Sequence, residues 1–380
     1  MSRPIYLDYN ATTPVDPAVL QAMLPYLSEQ FGNPHSTHAF GTVAHMAMET
    51  AREQVASLIG ARPGEVVFTS CASESINLAI KGVTFRHRNR PGAHLITSRV
   101  EHPAAVNACR YLAKEFGFAL TLLPVDESGR VDPAEVRAAI RPETVLISLI
   151  HAQNETGVIQ PVREVAAIAR EAGVLFHVDS AQTIGKIPVN VAEIGCDLLT
   201  IAGHKLYAPK GVGALYVREG ISLHPLIHGA SYEGGRRAGT ENVPYAVALG
   251  RACELAEVKL TTGEGRRLAG LRDRLQQRLG EALPVRVTGA NVERLPNTLH
   301  ITVDGVIGND LLSGCPQVAA STGSACHAGV SEPSEVLLAM GFSPERAVAA
   351  LRLSLGRYTT PEEIEAAAEA LIRAGRELLR

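Results

Sequence analysis

No apolar run in this 380-residue chain approaches the ~18 residues that a membrane-spanning helix needs, so no membrane segment is expected. The opening Met-Ser-Arg-Pro-Ile-Tyr-Leu-Asp lacks the apolar core of a signal peptide, which makes the cytoplasm the expected compartment. Cysteine is present but unpaired in pattern: Cys71, Cys109, Cys196, Cys253, Cys315 and Cys326 form no CxxC motif. That spacing argues against a zinc centre and a disulfide framework, and no metal is expected. Net charge is only −3 and no basic stripe appears, which removes the electrostatic footprint of a nucleic-acid binder. Internal repeats and low-complexity tracts are absent too. What remains, with 46% hydrophobic residues, is a globular chain long enough for two or three domains.

Strand and helix signals alternate from about residue 50 to 220. Glu65–Thr69, His94–Thr97, Phe118–Leu123, Val145–Ile150, Val174–Val178, Leu198–Ile201 and Gly213–Val217 read as seven strands. Several are continuous apolar runs, as expected when both faces of a strand are buried. Helix starts are legible between them, for example Asp132 as N-cap with Pro133 in the first turn. The pattern predicts an α/β domain on a mostly parallel seven-stranded sheet flanked by helices. Rhythm changes near residue 245. A helical stretch from Ala246 to Leu283, interrupted near Thr261–Gly265, precedes short strands at Val285–Val287 and Thr298–Val303 and a last helix capped by Thr360-Pro361. The expectation is a large domain over 16–250, and a smaller α+β domain formed by 1–15 and 251–380.

Ligands of such sheets lie beyond the carboxyl ends of the strands. There Val174–Val178 runs into Asp179, with Gln182 three residues on, and Leu198–Ala202 runs into Gly203-His204-Lys205. An acid and a lysine so placed suit a pyridoxal phosphate enzyme: the lysine supplies an amine for a Schiff base, and the acid keeps the pyridine nitrogen protonated. Alone, Lys205 reads as a surface charge and Asp179 as a helix N-cap; the pairing is what points to a cofactor. The small-residue turn Ser70-Cys71-Ala72-Ser73, between a strand and a helix start, offers backbone N–H groups to a phosphate. His102 and Asn154 each follow a strand and could reach the cofactor ring. Arg352 carries a guanidinium fork that matches a carboxylate.

Leu7-Asp-Tyr-Asn-Ala-Thr-Thr-Pro14, Glu101-His102, Asn154-Glu-Thr-Gly157, Gly203-His-Lys205, Arg236-Arg-Ala-Gly-Thr-Glu-Asn242, Gly323-Ser-Ala-Cys326 and Leu351–Arg357 together resemble the cysteine desulfurases. These belong to the class V branch of the fold-type I pyridoxal phosphate enzymes, and the motifs follow family order along essentially the whole chain. The resemblance implies Lys205 as the Schiff-base lysine, Asp179 as the pyridinium partner, Gln182 as donor to the ring oxygen and His102 as the stacking residue. It places Ala72, Ser73 and His204 at the phosphate. Thr240 is implied to reach the phosphate from the second subunit of a homodimer. Asn154, Arg352 and Asn10 are implied to bind the amino-acid substrate, with Asn154 also near the cofactor.

Cys326 stands apart from the other cysteines. It lies in Ala320-Ser-Thr-Gly-Ser-Ala-Cys-His-Ala-Gly329, a run of small polar residues rather than an apolar periodic segment. A loop cysteine beside His327 suits a nucleophile that takes sulfur from substrate and carries it to an acceptor protein, such as an iron–sulfur scaffold. Cys71 is the second candidate. Three positions depart from the family pattern: Gly203 where a serine is common, Cys71 where a glycine is common, and Ala230-Ser-Tyr232 in place of a glycine-rich stretch. The expectation at Gly203 is one phosphate hydrogen bond lost or replaced by a backbone N–H. Thr-Ile-Ala-Gly203-His-Lys and Ala-Cys326-His327 are also similar to selenocysteine lyases, leaving that substrate open. A class V aminotransferase or a decarboxylase would use Lys205 and Asp179 without needing Cys326. A non-catalytic persulfide relay is a further alternative.

Overall fold

A computed structural model describes residues 4–323 and 332–380. The chain enters through a two-residue strand, β1 (Ile5–Tyr6). It then builds a seven-stranded sheet from β2 (Val66–Thr69), β3 (His94–Ser98), β4 (Ala119–Leu123), β5 (Thr144–Ile150), β6 (Leu175–Asp179), β7 (Leu198–Ala202) and β8 (Gly213–Val217). Their order across the sheet is β2-β8-β7-β6-β5-β3-β4. All neighbours run parallel except β8, which is antiparallel to both β2 and β7. All seven strands expected from the sequence are found, with ends shifted by at most one residue.

Burial on both faces explains the apolar runs. Every residue of β5 is buried, and Val145, Leu146, Ile147, Leu149 and Ile150 are each at most 5% exposed. Side chains of this size contribute roughly 2 kcal/mol apiece when removed from water. Helices Ala72–Thr84 and Pro103–Phe116 cover one face with Ile76, Ile80, Ala105 and Leu112. The other face packs against Ala39–Ile59 and Val243–Thr261 through Val55, Ile59, Leu249 and Cys253. Those two helices touch closely, since a Cβ added to Gly250 would stand 2.7 Å from the Ala51 Cα. Any larger residue at Gly250 would push the pair apart. The helix Val243–Thr261 stays with this core as far as Ala256, so position 250 falls inside a continuous helix rather than at its end.

A second core begins with helix Glu264–Ala282, whose Leu268, Leu271, Leu275 and Leu279 face inward. Beside it β9 (Val285–Val287), β10 (Thr298–Val303), β11 (Val318–Ala319) and β12 (Ala350–Ser354) supply short strands. β10 lies between β9 and β12 in an antiparallel sheet, while β11 pairs in parallel with β1. The helix Pro361–Leu378 closes this layer with Ile364, Ala368 and Leu371. Thr360 and Glu363 form a reciprocal capping box at its start, a device that contributes about 1 kcal/mol. Leu7, directly after β1, is buried in the same cluster. Among the described residues, no helix is long and apolar enough to cross a membrane.

Candidate active site

Four adjacent strands, β3, β5, β6 and β7, end at the same edge of the sheet, and the polar residues singled out in the sequence follow those ends. Asp179 is the last residue of β6 and only 2% exposed. Its Oδ1 accepts from the Ala181 N–H at 3.0 Å. Burial pushes its carboxyl upward, and the charges of His102 and Lys205 pull it back. Lys205 ends a tight turn after β7. Burial first, and the Arg352 charge second, push its ammonium down to about 8, against the opposing pull of Asp179 and Asp8.

Asn10 joins these groups in a way its sequence position does not suggest. Its carbonyl oxygen accepts from Lys205 Nζ at 2.7 Å and from Gln182 Nε2 at 3.0 Å. Its Nδ2 donates to Thr298 Oγ1 and the Asn154 carbonyl, and its Oδ1 accepts from Lys186 Nζ and Asn297 Nδ2. Asn10 is 0% exposed, and its side-chain donors and acceptor are all engaged. Through its backbone carbonyl Asn10 positions Lys205 and Gln182.

His102 caps helix Pro103–Phe116, its Nδ1 accepting from the Ala104 N–H at 3.1 Å. With Nδ1 an acceptor, the neutral ring carries its proton on Nε2. Burial and Lys205 lower its basicity while Asp179 raises it. Next to it Glu101 is 4% exposed, with Oε1 accepting from Ser98 Oγ at 2.6 Å and Oε2 buried without a partner among the described residues. Burial raises this carboxyl to about 8, assisted by the Asp179 charge. The stability of the protonated form is fully present below the ordinary carboxylate pKa and is lost as pH rises towards about 8. Glu101→Gln is thus expected to be more stable than the parent at pH 9 by on the order of 3 kcal/mol and to match it at pH 4. Thermal melts across that range check this; parallel curves for the two proteins would refute it.

The turn expected from the sequence to take a phosphate follows β2. Cys71 precedes helix Ala72–Thr84 without a side-chain cap, so the first N–H groups of Ala72 and Ser73 have no side-chain acceptor from the cap position. Ala72 is half-buried and Ser73 exposed at this mouth. β8 passes close behind, where a Cβ on Gly213 would lie 2.8 Å from the Cys71 carbonyl carbon. His204 Nδ1 lies 3.2 Å from Thr12 Oγ1, and burial lowers the ring to about 4, so it is neutral. The Gly203 N–H donates to the Val212 carbonyl at 3.1 Å. A Cβ there would stand 2.8 Å from Val212, which explains a glycine at this position. Thr240 is exposed and lines a separate cavity with Ser70 and Gly211. Tyr232 stacks on His35 at 4.1 Å, and His35 Nε2 meets Glu241 Oε2 at 2.9 Å.

Arg352 reaches the same place from β12 and is 6% exposed. Nη1 donates to the Asn154 carbonyl at 3.1 Å and Nη2 to Asp8 Oδ1 at 2.8 Å, while buried Nε has no partner among the described residues. A cavity of ≈ 680 Å³ opens beside His102 and Asn154 and is lined also by Gly323, Glu332 and Ser334. Glu155, 7% exposed, accepts from Ser334 Oγ at 2.7 Å, and burial raises its carboxyl to about 7. Cys326 and His327, between those flanks, lie outside the described residues. Cys109, Cys196 and Cys253 are buried, their thiols pushed up by burial. Sequence reasoning missed Asp8, Lys186, Glu101 and Glu155 as members of this cluster. Asp8, Glu101 and Glu155 stand inside the family motifs, and Lys186 carried no signal.

Residues 5–367 match the family model for class V aminotransferases, the class that this sheet and this lysine–aspartate pair define. A cysteine desulfurase IscS of Dictyoglomus turgidum is 46% identical over 98% of this chain and 95% of its own. A cysteine desulfurase of Mus musculus is 46% identical over 97% of this chain and 81% of its own. A solved NifS-like protein superimposes with a TM-score of 0.91 at 36% identity, covering 97% of this chain and 98% of that one. SspA, solved in complex with cysteine, gives 0.82 at 37% identity over 93% and 99%. At such identity over nearly the full length, the chain belongs to the cysteine desulfurase family. Families of this class work with pyridoxal phosphate.

Proposed function

We propose that this chain converts L-cysteine to L-alanine, moving the sulfur onto Cys326 as a persulfide and then to an acceptor protein. One observation carries the reading: Lys205 and Gln182 share the Asn10 carbonyl, with Asp179 at the end of the neighbouring strand and Arg352 facing them from the second core. The residues present fit pyridoxal phosphate. Asp179 is a buried acid that gains a counter-ion from a protonated ring nitrogen, the helix at Ala72 presents N–H groups to a phosphate, and Lys205 is an amine of lowered basicity. When bound, the cofactor withdraws electrons from the substrate α-carbon.

The protein's own groups do the rest in this reading. Arg352 binds the substrate carboxylate, for which its unpartnered Nε is available. Lys205 Nζ takes the α-proton, a role suited to an amine with a pKa near the working pH. His102 would stack on the cofactor ring, with its proton on Nε2. The Cys326 thiolate attacks the substrate sulfur: a sulfur–sulfur bond forms, the carbon–sulfur bond breaks, and the electron pair remains with the three-carbon product. SspA in complex with cysteine supports the choice of substrate. Ser73 and His204 hold the phosphate, joined by Thr240 of a second subunit, in a cytoplasmic homodimer delivering sulfur to an iron–sulfur scaffold or another acceptor. We propose also that the two cores are two domains, dividing near Thr262.

Mass spectrometry of the protein mixed with cysteine tests this reading. One added sulfur on the Cys326 peptide, with alanine released, is the expected result. An unmodified Cys326 peptide would exclude it, and a larger turnover with selenocysteine than with cysteine would make the lyase activity the principal one.

A further inference from the structure

Lys186 is a lysine that the proposed chemistry does not use. The residue is half-buried, yet its ammonium turns away from solvent and ends on two buried oxygens, Gln182 Oε1 at 2.7 Å and Asn10 Oδ1 at 2.9 Å. Neither of these partners is a carboxylate. Burial, together with the charges of Lys205 and Arg352, pushes its basicity well below that of a free lysine. Holding a cation in such company is costly, so the arrangement calls for a reason.

The reason lies in what each partner can donate. An amide has one oxygen that accepts and one nitrogen that donates, and its two faces are nearly equal in shape. Gln182 Nε2 points at the Asn10 carbonyl, on which Lys205 Nζ also rests. Flipping the amide would set its oxygen against that carbonyl oxygen and its N–H groups against the Lys186 amine. As an ammonium, Lys186 has only hydrogens to give and no lone pair with which to accept from a flipped amide. Its second contact, Asn10 Oδ1, cannot turn either, because Asn10 Nδ2 is held by Thr298 Oγ1 and the Asn154 carbonyl.

We propose that Lys186 is a positioning residue that locks the Gln182 amide with its nitrogen towards Lys205, so that the cofactor's ring oxygen meets a donor and never an acceptor. This rests on the reading of Gln182 as the ring-oxygen partner. The lock runs from the first core to the second, since Asn10 Oδ1 also accepts from Asn297 Nδ2. Lys186 therefore joins the turn after β6, the amino-terminal segment and the strap before β10.

The experiment is a double-mutant cycle on the protein loaded with pyridoxal phosphate, read by the visible band expected near ~420 nm and by the cofactor dissociation constant. Lys186→Met is expected to displace the band and weaken cofactor retention about tenfold, the loss of one charge-assisted hydrogen bond. On a Gln182→Ala background the same substitution should change neither quantity, and Lys186→Arg, which keeps a donor, should restore most of both. An unchanged band in Lys186→Met, or an equal change with and without Gln182, would overturn the lock while leaving the cofactor reading intact. A parent protein that shows no band with added pyridoxal phosphate would overturn both.

Discussion

Replacing Lys205 with alanine is expected to abolish alanine release, by about 10⁴-fold or more, while the protein stays folded. The side chain is asked both to tether the cofactor and to carry a proton, and a positioned proton carrier alone accounts for roughly 10²–10⁴ in rate. No other described amine stands ready to replace it, because Lys186 is held on Gln182 and Asn10. Folding should hold, since among the described residues Lys205 makes one hydrogen bond, to the Asn10 carbonyl, which keeps Gln182 as a partner. Alanine release and a thermal melt measure the two halves of the expectation. A variant keeping a tenth of the parent rate would remove Lys205 from the chemistry.

Cys326→Ser separates the desulfurase reading from its aminotransferase and decarboxylase rivals. A hydroxyl is a far weaker nucleophile than a thiolate at neutral pH, so alanine formation from cysteine is expected to fall on the order of 10³-fold or more. Cofactor binding should be untouched, because the proposed reading assigns it to Asp179, Lys205, Gln182 and the Ala72 turn. The visible band should therefore survive in the variant, with no added sulfur found by mass spectrometry. An aminotransferase would be indifferent to the change, so parent-like turnover of cysteine in this variant would sink the persulfide step.

Strand ends make much of the site legible in the amino-acid sequence. Asp179, Lys205, His102 and Asn154 each follow an apolar run, and a parallel sheet gathers the ends of such runs at one edge. The seven strands are readable for the same reason, as runs buried on both faces. Residues acting through long-range contacts are not. Asp8 meets Arg352, and Lys186 meets Asn10, across long stretches of chain. Nothing local marks such a pair. Burial is equally invisible in a sequence, so the raised carboxyls of Glu101 and Glu155 cannot be read from it. Gly203 shows a further limit: its exchange for the common serine follows from the closeness of Val212, which only the packed fold reveals.

The parallel pairing of β1 with β11 imposes an order of assembly. Ile5 and Tyr6 find their partners only at Val318 and Ala319, and Asp8 bridges to Ser354. A chain emerging from the ribosome can complete its seven-stranded sheet once residue 217 is out. Ile5, Tyr6 and Asp8 must then wait for about another hundred positions or more to be translated before their strand partners exist. A stalled nascent chain would thus have Lys205 and Asp179, yet not the Thr298 and Asn297 contacts that hold the Asn10 side chain.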